Sequence, residues 1–173
     1  MKRFATLLFS ALLLMISCDE VDPVYPDEPV VDYQGFGLFI TTDALGNNTL
    51  IGQLTFDFTD GDGNLGLPPL PLVDIPDLNV PDTVKYNFFL HLYDLQGYNW
   101  VQIPEEDGGI LKYRIPYLDK QPLSGTMDLK LSYPVITYDT IYYTFYVYDR
   151  DFNRSNIDST DVIVLSGIDL DDL

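Results

Sequence analysis

The chain has 173 residues, and its 27 acidic and 9 basic side chains give a formal charge of −18; such a chain repels phosphate backbones, and basic residues scattered singly from Lys85 to Arg154 exclude nucleic-acid binding by counterion release. A single histidine and a single cysteine leave no disulfide, no multi-histidine zinc site and no cysteine–histidine nucleophile pair. Thirteen tyrosines and ten phenylalanines, with few helix formers, point to β structure in a chain long enough for one domain with a hydrophobic core.

Lys2 and Arg3 precede an apolar run from Phe4 to Ile16. The run is too short to span a hydrocarbon core of ~30 Å as a helix and has the length of a secretory h-region, so residues 1–17 read as a signal peptide that is removed. Ser17-Cys18 at its end resembles the lipobox of bacterial lipoproteins, with Met15 and Ile16 where Leu and Ala or Ser are usual. Looser lipoboxes of this kind resemble those of Bacteroidetes. The resemblance implies that Cys18 is acylated, that the membrane is a partner through this lipid, and that the protein resides at the outer membrane, on its periplasmic face or at the cell surface. A free thiol with nothing to pair with would be a liability in an oxidising compartment. The alternative is an ordinary signal peptide cut elsewhere, with Cys18 an incidental thiol.

Residues 18–32 follow as an acidic, proline-rich tether. Asp19, Glu20, Asp22, Asp27, Glu28 and Asp32 repel one another, and Pro23, Pro26 and Pro29 keep the segment extended, so it is expected to be disordered. Asp19 and Glu20 also resemble the surface-export signal of Bacteroidetes lipoproteins, and a plain solvated spacer explains them equally well. Residues 167–173 form a second acidic tail that is expected to fray.

Between them, residues 33–166 alternate apolar and polar side chains with the period of a pleated strand. The expected strands are Tyr33–Thr42, Leu50–Thr59, Val84–Leu95, Tyr98–Ile103, Ile110–Ile115, Gly125–Tyr133, Ile141–Asp149 and Ile157–Leu165. Leu54, Phe56 and Phe58 fall on one face of the second, and Tyr86, Phe88, Leu90 and Leu92 on one face of the third. No helix is expected in the mature chain. About seven to eight strands spaced by turn chemistry make an all-β, single antiparallel sandwich of immunoglobulin-like type.

Two stretches resemble paired signatures of small Bacteroidetes lipoproteins with an immunoglobulin-like or fibronectin-like domain. They are Phe56-Asp57-Phe58-Thr59-Asp60-Gly61-Asp62-Gly63-Asn64-Leu65-Gly66 and the run from Phe145 to Asn156. The second, through Asp149, Asn153 and Ser155 and then Thr160, Val162 and Val164, is also similar to the closing "D-x-x-x-N-x-S, then T-x-V-x-V" of bacterial immunoglobulin-like modules. The resemblance implies a fold and an address but no activity.

Asp60, Asp62 and Asn64 place oxygen ligands at alternate positions of a glycine-rich loop, the arrangement a hard cation such as Ca²⁺ requires. The loop is not an EF-hand, because Leu65 and Pro71 stand where that motif needs Gly and Glu. Asp149, Asp151 and Asn153 form a second alternating set, and in a sandwich the two loops can meet at one end. Turn formation alone calls for the same residues, with Asn153 the left-handed one and Arg150 or Arg154 neutralising the aspartates.

The proline-rich segment 67–82 is long for a connection. Leu70, Leu72, Ile75 and Leu78 within it either dock an envelope partner or pack back over a sheet edge. Tyr98, Trp100, Tyr138, Tyr142, Tyr143, Tyr146 and Tyr148 would stack on a glycan if enough of them share a solvent face, and otherwise form core and cross-strand pairs. Catalysis is not expected. His91 lies mid-strand, no G-x-S-x-G elbow is present, and the adjacent Glu105, Glu106 and Asp107 point apart rather than across a sugar.

Overall fold

A computed structural model describes residues 24–42, 46–69, 82–118, 123–133 and 135–168. The signal segment, the start of the tether from Cys18 to residue 23, the loop residues Leu70, Leu72, Ile75 and Leu78, and the end of the acidic tail lie outside these residues.

Among the described residues nine strands, one α-helical turn and one 3₁₀ turn follow in order: β1 Val30–Thr42, β2 Asn48–Asp60, α1 Asp82–Lys85, β3 Phe88–Gln96, β4 Asn99–Gln102, the 3₁₀ turn Glu105–Asp107, β5 Ile110–Tyr113, β6 Leu123–Tyr133, β7 Thr140–Val147, β8 Asp158–Ser159 and β9 Ile163–Val164. All pairings between these strands are antiparallel. One sheet runs β1-β2-β6; the other has β3 and β7 at its centre, with β4 and β5 on the outer side of β3 and β8 and β9 on the outer side of β7. The protein is an all-β sandwich, as the alternation predicts.

The period of two decides which side chains meet between the sheets. Leu54, Phe56 and Phe58 of β2 are buried while Thr55, Asp57 and Thr59 between them are not. Phe88, Leu90 and Leu92 of β3 and Ile141, Tyr143, Phe145 and Val147 of β7 face them across the interior. At its centre the Phe56 ring lies 5.0 Å from Phe88 and 5.5 Å from Phe145, an offset packing of the kind aromatic quadrupoles favour.

Four boundaries depart from expectation. β1 begins at Val30, and Pro29 and Val31 are already buried, so the end of the acidic tether is part of the sandwich. Asn156 explains why: its Oδ1 accepts from the Val31 amide at 2.9 Å and its Nδ2 donates to the Val31 carbonyl at 2.8 Å, while Asp158 Oδ2 accepts from the Tyr33 amide at 2.7 Å. Two side chains thus replace a ladder between β1 and the far sheet. Val84 and Lys85 lie in α1, whose turn closes through the Tyr86 amide on the Asp82 carbonyl at 2.7 Å, and β3 starts only after the buried Asn87. The expected last strand is split into β8 and β9, because Thr160 Oγ1 accepts from the Tyr143 amide and the register slips between the two pieces. At the other end Ile168 packs against the core, so the tail is attached at its start.

Candidate functional site

The loop after β2 builds its shape from hydrogen bonds to its own side chains. Asp60 ends the strand fully buried, and its Oδ2 accepts the Leu65 amide at 2.5 Å. Asp62 accepts the Asn64 amide on Oδ1 at 3.1 Å and the Asn64 side-chain Nδ2 on Oδ2 at 2.7 Å, an Asx turn. Gly63 and Gly66 adopt φ of 71° and 92°, the left-handed region that favours glycine. Gly61 has a different reason: a Cβ there would lie 2.3 Å from the Tyr25 carbonyl oxygen.

The second acidic loop meets the first, as its placement in a sandwich allows. Leu65 and Asp149 form an isolated bridge, the Arg150 amide reaches the Asn64 carbonyl at 3.3 Å, and Asn64 Nδ2 reaches Asp151 Oδ2 at 3.1 Å. The Arg150 guanidinium donates to the carbonyls of Gly66 at 3.1 Å and of Gly63 and Leu65 at 3.4 Å, with its face on the Tyr117 ring. It braces the backbone of the loop rather than a carboxylate.

The two loops differ in what they leave open. Both oxygens of Asp149 are taken at 2.8 Å by Asn153, one by its amide and one by its Nδ2. Phe152, with φ of 66°, is the left-handed residue there, not Asn153. Ser155 Oγ accepts from the Val147 amide at 3.0 Å. The D-x-x-x-N-x-S pattern is therefore a self-satisfied turn. In the first loop Asp60 Oδ1 and Asn64 Oδ1 are buried without a partner. Burial, with the Asp62 and Asp149 carboxylates adding like charge, pushes the Asp60 carboxyl up to about 6 against the pull of the Leu65 amide. Among the described residues no three His, Cys, Asp or Glu side chains cluster to hold a metal, so any cation site here must use amide and water oxygens as well.

A second surface is the outer face of the β3–β4–β7 sheet. Tyr93 stacks on Tyr142 at 4.6 Å, and Trp100 meets Tyr142 edge-on at 4.8 Å with 39 % of its surface exposed. Further along, Tyr146 lies against Phe89, His91 and Tyr148. Polar atoms thread this row. Gln102 Nε2 donates to His91 Nδ1 at 3.0 Å, which leaves Nε2–H facing the Tyr146 hydroxyl at 3.3 Å, and the Tyr93 hydroxyl donates to Gln102 Oε1 at 3.2 Å. Burial lowers the His91 pKa, against the pull of Glu105, so the ring is held neutral.

Of the aromatic residues singled out in the sequence, Trp100, Tyr142, Tyr146 and Tyr148 share this face, Tyr98 stands fully exposed at the β3–β4 turn, and Tyr143 points into the core. The outer face of the other sheet is mostly polar, with Thr55 bonded to Asp128 and Thr126 to Asp57, and carries the exposed Phe39 ring under Lys130 near one end.

One end of the sandwich also holds a cavity of ≈ 170 Å³ lined by Leu92, Leu131, Ile141 and Leu165 among others, where the Tyr133 and Tyr143 hydroxyls pair at 2.9 Å. Among the described residues its walls carry no carboxylate, amine, thiol or imidazole.

Sequence reasoning missed the bonds by which the side chains of Asn87, Asn156 and Asp158 join segments through backbone groups. Fold and surfaces together define a β-sandwich with one polar and one aromatic outer face and an acidic loop pair at one end. No family model, curated protein or solved structure matches the chain.

Proposed function

We propose that this protein is a non-catalytic binding module with an immunoglobulin-like sandwich, held at the outer membrane of a Bacteroidetes-type bacterium by a lipid on Cys18, and that it binds glycan on its aromatic sheet face. The lipobox-like Ser17-Cys18 and the acidic segment after it support the address. Crossing of the chain between the sheets after β2, β5 and β6 accords with the connectivity of immunoglobulin-like domains.

The observation that carries the binding reading is the asymmetry of the two outer faces. Trp100 sits on the exposed strand β4, beside the Tyr93–Tyr142 stack and the Gln102 amide. An apolar ring face bordered by hydroxyl and amide groups suits a sugar, which presents C–H on one side and hydroxyls at its rim. Tyr93 and Tyr142 cover each other's ring faces by stacking, and the half-exposed Trp100 supplies the more open ring.

Trp100 is the only tryptophan in the chain, so its fluorescence reports on this face directly. Titration with envelope and host polysaccharides should shift that emission saturably, and Trp100→Ala should weaken binding roughly tenfold or more with the melting temperature unchanged. An unaltered emission across such a panel, with the fold intact, would remove the glycan reading. Cys18→Ala should release the protein from membranes; continued membrane fractionation of that variant would remove the anchor.

A further inference from the structure

We propose that the loop from Asp60 to Asn64 is a site for a hard divalent cation of the Ca²⁺ class, with Asp60 Oδ1 and Asn64 Oδ1 as its two open protein oxygens and Asp62 as the neighbouring carboxylate. Three buried side-chain polar atoms lack a partner among the described residues, and two of them are these oxygens, four residues apart in one loop. Buried acceptors are as a rule satisfied, and each exception calls for an explanation. Asp60 is fully buried, so bulk solvent does not reach its second oxygen.

The charges nearby do not account for it either. Asp62 and Asp149 add negative charge around Asp60, and the guanidinium bonded to this loop, that of Arg150, is directed at the carbonyls of Gly63, Leu65 and Gly66. Among the described residues the ion pairs are those of Lys112 with Asp82 and Glu105, away from this loop. A cation between the open oxygens would satisfy both and offset the carboxylate repulsion.

Donor chemistry selects the kind of cation. Carboxylate and amide oxygens with no imidazole or thiolate suit Ca²⁺ rather than a transition metal. With few protein ligands, water must complete a shell of six to eight oxygens, which places the affinity in the range of extracellular modules, about 10⁻⁴–10⁻³ M. The Asp149–Asn153 loop, whose oxygens are already bonded, supports the site without ligating.

The competing account is a proton held on Asp60 and shared with the neighbouring Asp62 carboxylate, which offsets the same repulsion without metal. Calorimetric titration of CaCl₂ into the anchored protein in detergent, at neutral pH, separates the two, with the melting temperature followed in parallel. One saturable site in the range of about 10⁻⁴–10⁻³ M and a rise in melting temperature with Ca²⁺ are expected. Asp60→Asn, which retains size and hydrogen bonding, and Asp62→Asn should each weaken that binding about tenfold or more. Absence of heat and of any thermal shift up to about 10 mM Ca²⁺ would overturn the proposal. Binding undiminished in both variants would overturn it as well, by placing the cation elsewhere, for instance on the acidic tether.

Discussion

The Gly61 amide donates to the Pro26 carbonyl at 2.8 Å, so the segment leading in from Cys18 is held against the same loop that carries Asp60 and Asn64. The approach is close enough that a Cβ on Gly61 would meet the carbonyl oxygens of Tyr25 at 2.3 Å and Pro26 at 2.7 Å. Both obstacles are backbone and have no rotamer to yield. Gly61→Ala should therefore push Tyr25 and Pro26 off the loop, costing roughly 1–3 kcal/mol. A lower melting temperature and faster proteolysis before Val30 are the expected readouts, and an unchanged protease pattern would show that the contact does not hold the tether.

Tyr133 and Tyr143 form an asymmetric pair. Tyr143 is 1 % exposed, whereas Tyr133 retains contact with the cavity and solvent. Removing the Tyr133 hydroxyl leaves that of Tyr143 buried and unpaired, so Tyr133→Phe should cost roughly 1–3 kcal/mol and Tyr143→Phe less, nearer ~1 kcal/mol. Denaturant melts of the two variants test that order.

The same pair sets an alkaline limit. Burial pushes the Tyr133 phenol up to about 12 from 10.0 and the Tyr143 phenol higher still. A folded-state pKa raised above the unfolded value means the protonated form is favoured in the fold. That contribution to stability is complete below pH 10 and is lost as pH rises towards 12. Phenolate absorbance should accordingly rise in two phases, the later one coinciding with unfolding. A single phase completed with the near-ultraviolet circular dichroism intact would contradict this.

Phe56 joins the two sheets, since it stands on β2 and touches Phe88 on β3 and Phe145 on β7. Phe56→Ala should cost roughly 3–5 kcal/mol, a cavity term added to the lost transfer energy. Against a typical total of about 5–15 kcal/mol for a domain, thermal unfolding should shift far down. Phe39→Ala is the control: that ring is 40 % exposed near the end of β1, and its removal should have a small effect.

Much of the sandwich was legible because strand alternation is a local property. Leu54, Phe56 and Phe58 declare their face by spacing alone, and so do Phe88, Leu90 and Leu92. Legibility failed where side chains stand in for backbone. Thr160 breaks the last strand by accepting from the Tyr143 amide, and Asn156 and Asp158 draw Val30 to Asp32 out of what reads as a charged spacer. The competing rule in each case is satisfaction of buried backbone groups, which overrides the local preference of an acidic or β-branched segment.

The alternation, the approximate strand positions and the glycine-rich acidic loops are legible in the chain because each depends on neighbours within a few residues, and the strong negative charge because it depends on composition alone. Packing of the two sheets sets the rest: Asn64 meets Asp151, 87 positions away, the Asp149 loop satisfies itself while Asp60 keeps an open oxygen, and Trp100 and Tyr142 face outward together while Tyr143 faces in. Turn formers and cation ligands are the same residue types, and a strand pattern does not say which face meets the other sheet. Those choices are made by contacts between segments far apart in the chain, after the sheets have packed.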